Sequence, residues 1–442
     1  MEKPIAIVLG GTSPHVLLVE KLKERGYYVI LVDYLDNPPA KKVADEHIQA
    51  STLDQDKVLA IAKEKKASLV ISTCIDQANS VCCYVAEKLN LPHPYSYKTS
   101  LDVTDKGLMK KIMSDNGIPT SAYQTVTSVD EINWDKVDYP AVVKPVDCNS
   151  SKGVRRVDSD DETRQRVAEA LEMSRTRHAI IEGFNQGEEI QVDCVAVGNG
   201  VKVMMTRQKQ KIAGKGNEMV LQSYGSIFPA PLSDKLKQQA QEIAEKIAES
   251  FKLSNTPFFY QAIVTDNGIQ VLEFAPRIGG GLSYYVLKEF GNYDAVEYAI
   301  KSYVGIPLCA EPQKCSSYLS SLLLYMNAGV FSHIEGLEEL KNSGLAKEIF
   351  VMKNPETRVD SDMRSSNRVA AVVLEDKDIN GLMAKQKKAI DCVEIYDSSG
   401  NKLMNREIYY NMLIINKLTG GGKIRVRFNF VARPAYNYRW AS

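Results

Sequence analysis

Residues 272–281 read "LEFAPRIGGG", and this stretch decides how the chain is read. It follows "NGIQV", a turn leading into a strand. A strand end needs neither a carboxylate at Glu273, nor Arg277 shortly after it, nor three glycines beyond. A carboxylate, a guanidinium and bare backbone held together suit a polyanion and its metal. Upstream, "FFYQAIVTDNGIQV" reads as two strands joined at Asp266-Asn267-Gly268, a hairpin turn. Gln261 and Glu273 lie on opposite arms and can face each other. Such an oxygen pair suits Mg²⁺, which takes one or two carboxylates plus substrate phosphates. Arg277 can fork onto a phosphate or carboxylate, and Gly279 and Gly280 let a ligand approach the backbone.

Working outward, "YPAVVKPVDCNSSKGV" (139–154) places Lys144 inside an apolar strand, where a lysine is costly unless an anion pairs with it. The small residues that follow, Ser150, Ser151, Lys152 and Gly153, suit either a hairpin turn or a loop whose amides cradle phosphate. It is not a G-x-x-x-x-G-K-[ST] loop. Lys106 stands in the first turn of a helix, where the dipole disfavours a cation. It is either solvated or aimed at an anion. "HAIIEGFNQGEEIQVD" (178–193) reads as two strands joined by a Gly-rich turn, with Glu182 ending the first and Glu189 starting the second. The alternatives there are a surface hairpin and an open backbone edge that meets a heterocycle.

The chain has 442 residues, too many for one core, so about two to four domains are expected. Lys+Arg and Asp+Glu are equal at 55 each, which gives no general attraction to nucleic acid or anionic membrane. The 8 cysteines are scattered without zinc-like or disulfide spacing, consistent with a reducing cytosol and a cytoplasmic location. The N-terminus lacks the apolar run of a signal peptide, and no stretch is apolar enough to span a membrane. Residues 1–100 alternate strand and helix, as in a parallel sheet covered on both faces. Ligands of such sheets sit beyond the strands' carboxyl ends, here at Gly10-Gly11-Thr12-Ser13, Asp33 and Cys74-Ile75-Asp76. Residues 91–100 read as a connector, followed by a helix capped by Thr104 and stopped at Gly117. Ser233 caps a long amphipathic helix. From about 316 the pattern changes to strand, helix, strand and turn. Residues 412–442 form a basic, aromatic tail, read as a terminal strand or an appended segment in preference to a nucleic-acid element.

In this order the pieces resemble the ATP-grasp superfamily over about residues 1–410, most nearly its carboxylate–amine ligases with G-G-G after the arginine. The resemblance implies an α/β plus α+β fold in three parts. These are a Rossmann-like domain (1–100), an ATP-grasp domain (101–315) with a lid near 140–185, and a small α+β domain (316–411). It implies an ADP-forming ligase that uses ATP and Mg²⁺ to activate a carboxylate as an acyl phosphate and join it to an amine. Lys106 and Lys144 would hold the phosphates, with Ser150, Ser151, Lys152 and Gly153 closing over them. Glu182, Gly183 and Phe184 would meet adenine, mainly through backbone, and Glu189 the ribose. Glu273, facing Gln261, would bind the metal. Arg277 and Lys144 would be catalytic, and Arg277, Gly279, Gly280 and Asp76 would contact the substrate. A homodimer is allowed for. Two departures stand out: Gln261 replaces an expected acid, and Ala275 an expected asparagine. They keep open a non-catalytic ATP-binding protein, beside ligases with a thiol or carboxyphosphate acceptor. A nicotinamide enzyme would use Asp33, but "GGTSPH" is not G-x-G-x-x-G.

Overall fold

The computed structural model describes residues 3–148, 152–198, 200–212, 221–360 and 367–409. Backbone contacts divide the chain into two units, Met1–Gln208 with Phe228–Ser316, and Lys209–Ile227 with Ser317–Ser442. The sequence division placed 209–227 with the residues before them, whereas these contacts group them with the C-terminal part. The basic tail lies outside the described residues, and among those described no helix is long and apolar enough to cross a membrane.

The first unit opens with four parallel strands in the order Glu46–Gln49, Tyr28–Asp33, Ile5–Leu9, Leu69–Ile71. The central strands bury nearly every side chain, which explains their unbroken apolar runs. Glu46–Gln49 escaped the sequence reading because "EHIQ" is polar and lies at the sheet edge. The order changes direction between Ile5–Leu9 and Leu69–Ile71, so the crevice of this sheet lies at Gly10–Thr12 and Ser72–Asp76. The connector is shorter than expected. Tyr97–Thr104 is a helix, and Thr104 ends it instead of capping the next. The cap of the Lys106–Asp115 helix is Asp105, whose carboxylate accepts from the Leu108 amide.

A four-stranded antiparallel sheet follows, ordered Tyr123–Val126, Ala179–Gly183, Ala141–Pro145, Arg155–Val157. One face buries Val126, Ala141, Val143, Ala179 and Ile181 against Val167 and Ala170 of the Asp160–Met173 helix. Side chains alternate along a strand, so Lys144 and Glu182 fall on the other face. A second antiparallel set runs Gly268–Ala275, Thr256–Thr265, Glu188–Val197, Gly200–Lys211. The Glu182/Glu189 hairpin is therefore not a hairpin. Ala179–Gly183 and Glu188–Val197 belong to different sheets, and residues 184–187 cross between them. The sequence shows two strands and a turn, but strand partners are chosen by side chains far along the chain. In the second unit, Ser223–Phe228, Tyr318–Tyr325, Arg368–Asp376 and Glu348–Val351 lie side by side. The Ile379–Cys392 helix accompanies them, its Gln386 donating to Ser320 Oγ.

The crossing needs a residue without a side chain. A Cβ on Gly187 would stand 2.1 Å from the Val264 carbonyl oxygen, which is backbone and cannot yield. Gly187→Ala is expected to destabilise by about 1–3 kcal/mol in urea denaturation. Gly183→Ala, with nothing within 4 Å of the added carbon, should stay within about 0.5 kcal/mol of the parent. Equal stability of the two variants would show that the crossing is not packed as described.

Candidate active site

Register builds the site. Glu273 lies opposite Gln261, Gln261 opposite Gln191, and Gln191 opposite Arg207. Cross-strand partners share a face, so four polar side chains cross the sheet in one row, with Glu273 and Gln261 paired as expected. Glu189 and Asp193, two residues to either side of Gln191, share that face. Arg207 donates to Ser283 Oγ at 2.7 Å and to Gln191 Oε1. Gln191 Nε2 donates to Asp193 Oδ1 at 2.8 Å. Burial pushes the Asp193 carboxyl pKa up, opposed by the Arg207 charge, and burial pushes the Arg207 guanidinium down. Neither Arg207 nor its partners stood out in the sequence. Their signal was the alternation Glu189, Gln191, Asp193 in a strand that otherwise reads as core.

Lys106 is the first residue of its helix. Its ammonium donates to the Cys148 carbonyl at 2.6 Å and stands 4.0 Å from Glu273 Oε2. Glu273 keeps 41% of its side chain exposed, so the carboxylate is open to a ligand. One carboxylate beside an amide oxygen fits Mg²⁺ carried in with nucleotide phosphates. Among the described residues no cluster of three or more His, Cys, Asp or Glu side chains could hold a metal ion.

Lys144 needs an anion, and it finds Glu182. Its ammonium donates to Oε1 at 2.5 Å, while Lys110 Nζ stands 2.7 Å from Oε2. Lys110 also donates to Thr120 Oγ1 at 2.7 Å, and Thr120 donates to the Val271 carbonyl at 2.8 Å. Glu182 was expected to meet adenine mainly through its backbone, and this cluster shows where its side chain goes. Its side chain is only 4% exposed and is committed to two lysines. Burial works to raise the Glu182 pKa, but the Lys144 and Lys110 charges outweigh it and hold the carboxyl at about 2. Burial lowers the pKa of Lys110. The sequence reading missed Lys110, although a lysine between Met109 and Met113 on a buried helical face was a visible signal.

Arg277 is held by Asp76. Nε donates to Oδ1 and Nη2 to Oδ2, both at 2.6 Å, and Nη1 donates to the Ile278 carbonyl at 2.9 Å. Asp76, expected among the substrate contacts, thus positions the guanidinium instead. The reason is geometric: a carboxylate at the start of the Asp76–Leu89 helix matches the side of the fork. Burial opposes the arginine's charge, yet Asp76 outweighs it and the pKa is raised. A guanidinium has five N–H donors, so this arrangement leaves it donors for phosphate or carboxylate. Gly279 packs closely, and a Cβ there would meet Gln191 Nε2 at 3.0 Å. Gly280 is exposed.

The lid residues divide. Ser150 and Ser151 lie outside the described residues, and Lys152 is exposed. Gly153 has φ +74° and leaves only 2.8 Å between an added Cβ and Pro145 Cδ, so this position requires glycine. The Gly183 and Phe184 amides donate to the Ala122 and Pro140 carbonyls at 3.1 and 3.0 Å. These two amides of the expected backbone edge are therefore already engaged. Phe184 lies under the Arg156 guanidinium, 5.1 Å from ring centroid to Cζ. Asp33 accepts from the Gly11 amide at 2.7 Å and the Leu35 amide at 2.8 Å. Both its oxygens serve the backbone of the neighbouring loops.

Glu182 has a pH signature. Its folded pKa is depressed, so its contribution is full above the unfolded carboxyl range near 4.5 and is lost as pH falls towards about 2. Glu182→Gln should destabilise the protein by roughly 3–5 kcal/mol at neutral pH, because two buried lysines lose their counter-charge. The gap between parent and variant should close as pH falls through that window. A gap independent of pH in urea melts would count against the cluster.

Three comparisons bear on this geometry. Residues 104–281 match the phosphoribosylglycinamide synthetase ATP-grasp (A) domain. A formate-dependent phosphoribosylglycinamide formyltransferase of Mannheimia succiniciproducens is 22% identical over 397 residues, 88% of this chain and 96% of that one. Its counterpart in Ignicoccus hospitalis is 25% identical over 288 residues, 62% of this chain and 69% of that one. The crystal structure of an L-amino acid ligase from Bacillus licheniformis superposes with a TM-score of 0.74 at 18% identity, covering 90% of this chain and all of that one. The matched stretch spans Lys106, Lys144, Glu182 and Glu273–Arg277, so residues 104–281 are similar to an ATP-grasp domain.

Proposed function

We propose that this protein is an ADP-forming ligase that phosphorylates a carboxylate with ATP and passes the acyl group to an amine. One observation carries the reading. Lys106, Glu273 and the Asp76-held Arg277 converge at the end of the Gly268–Ala275 strand. The relatives' names point the same way, since one joins formate to phosphoribosylglycinamide and another ligates amino acids.

A carboxylate is a poor electrophile, and phosphorylation supplies a leaving group. The protein's task is then positioning and charge neutralisation. Lys106 and Lys144 draw the phosphates in, and Lys144 keeps its place through Glu182. Glu273 and Gln261 would hold Mg²⁺, which neutralises phosphate charge when bound. Arg277 has its plane set by Asp76 and turns its remaining donors towards the oxygens of phosphate and carboxylate. Glu189 shares the face of Gln191 and suits the ribose hydroxyls. The lid near 140–185 would exclude water from the acyl phosphate. The N-terminal loops and the 205–230 segment would select the two substrates.

Gln261 favours a second reading. Without charge opposite Glu273, the protein could bind ATP without turning it over. Phosphate release from Mg·ATP, screened over pairs of formate and L-amino acids with glycinamide and other amines, separates the two. The ligase reading expects release with at least one pair and none without a carboxylate. Arg277→Lys should lower kcat about a hundredfold while keeping the Mg·ATP thermal shift, because an ammonium cannot replace the fork. Asp76→Asn should lower kcat by about tenfold or more, since the fork loses its charged rest. Lys144→Ala should abolish the thermal shift. A silent wild type that gains ATP turnover on Gln261→Glu would establish the second reading.

A further inference from the structure

We propose that Thr12 accepts the N–H of the incoming amine, because the buried network behind it leaves its hydroxyl oxygen able only to accept. The inference rests on the ligase reading and names the residue that recognises the second substrate.

Each proton in the network can be placed. The Leu9 carbonyl can only accept, and Ser72 Oγ donates to it at 2.8 Å. Ser72 has one proton, so towards His15 Nε2, 3.3 Å away, its oxygen must accept. Nε2 therefore carries the ring's hydrogen. Nδ1 is then a bare lone pair, and it takes the Thr12 hydroxyl proton at 2.8 Å. The ring is neutral at assay pH because it is 0% exposed and burial holds its pKa at about 4. Thr12 is the N-cap of the Ser13–Glu24 helix, yet its side chain makes no capping bond. Its proton points to Nδ1, which Cys74 Sγ approaches only to 3.9 Å, and its lone pairs point out, on a residue that is exposed. The neighbour on that side is Cys74 Sγ at 3.5 Å.

The place suits an amine. Thr12 and Cys74 stand at the carboxyl ends of the two parallel strands between which the strand order changes direction. Asp76, two residues beyond Cys74, is the group that holds Arg277. The Arg277 charge also acts on the Cys74 thiol. The crevice therefore adjoins the place where the acyl phosphate would form. Attack makes a C–N bond and breaks the C–O bond to phosphate. The nitrogen gives up one proton, which leaves with the phosphate. The amine must arrive as a free base, which is a donor through N–H. Positive charge nearby favours that neutral form. Thr12 orients the nitrogen without taking its proton, because a proton passed inward would charge a buried imidazole.

Two measurements test this. In ¹⁵N NMR of the full-length protein, the His15 ring should carry its proton on Nε2. A proton on Nδ1 overturns the proposal, since Thr12 could then donate outward. In steady-state assays with the pair found by phosphate release, Thr12→Val should raise KM for the amine about tenfold or more, as expected for one lost hydrogen bond. KM for ATP should not change. Thr12→Ser should return the amine KM to within about threefold of the parent. Acyl phosphate trapped as hydroxamate with hydroxylamine should form in Thr12→Val within about twofold of the parent rate, since activation precedes the amine. An unchanged amine KM, or equal loss of hydroxamate and amide, overturns the proposal alone. No hydroxamate from the wild type overturns the ligase reading and the proposal with it.

Discussion

The fork between Arg277 and Asp76 is the constraint on which the site depends. It joins the end of an antiparallel strand to the start of a helix in the parallel-sheet region, 201 residues apart in sequence. Two hydrogen bonds in one plane fix direction as well as distance. Because Asp76 closely follows Ser72 and Cys74, the same fork brings the Thr12–His15–Ser72 network beside Arg277. In the proposed ligase, activation chemistry and substrate recognition would share one anchor. Exchange of either partner should alter both, even where folding is intact.

Charge is arranged in two tiers. Lys110, Lys144 and Glu182 form a buried cluster of two cations and one anion. Such an excess is tolerable when a polyanion arrives to neutralise it. Glu273 and Lys106 are more open and lie at the strand end, where a phosphate can reach them. Between them the row through Gln261 and Gln191 is uncharged and ends at Arg207. In the proposed ligase, a row with so few carboxylates would rely on the nucleotide to bring its cation.

Much of the site could be read from the chain because it lies in short local patterns. The turn at Asp266–Gly268 set the hairpin register as far as Ala262 opposite Val271, and a β-bulge beyond it brought Gln261 opposite Glu273. Lys106 at a helix start and Lys144 inside an apolar strand were anomalies of position, which is why they could be singled out. Lys110 was an anomaly of the same kind and went unnoticed, hidden among other lysines of a polar-looking helix. Gln191 and Arg207 had no local signal, because their role comes from which strands lie beside Glu188–Val197.

The sequence alone determined the parallel-sheet start, the hairpin, and the identities of the charged groups at strand and helix ends. These follow from periodicity, turn chemistry and the cost of a charge in an apolar run, all of which act over a few residues. Only the tertiary structure decided what each charge faces. It gave Asp76 to Arg277 and Glu182 to two lysines, and it turned an apparent hairpin at 178–193 into a crossing between sheets. It also brought Leu9, Ser72, His15 and Thr12 into one hydrogen-bonded network. Hydrogen bonds and ion pairs act over about 3 Å, and residues far apart in sequence come that close only after the backbone has packed.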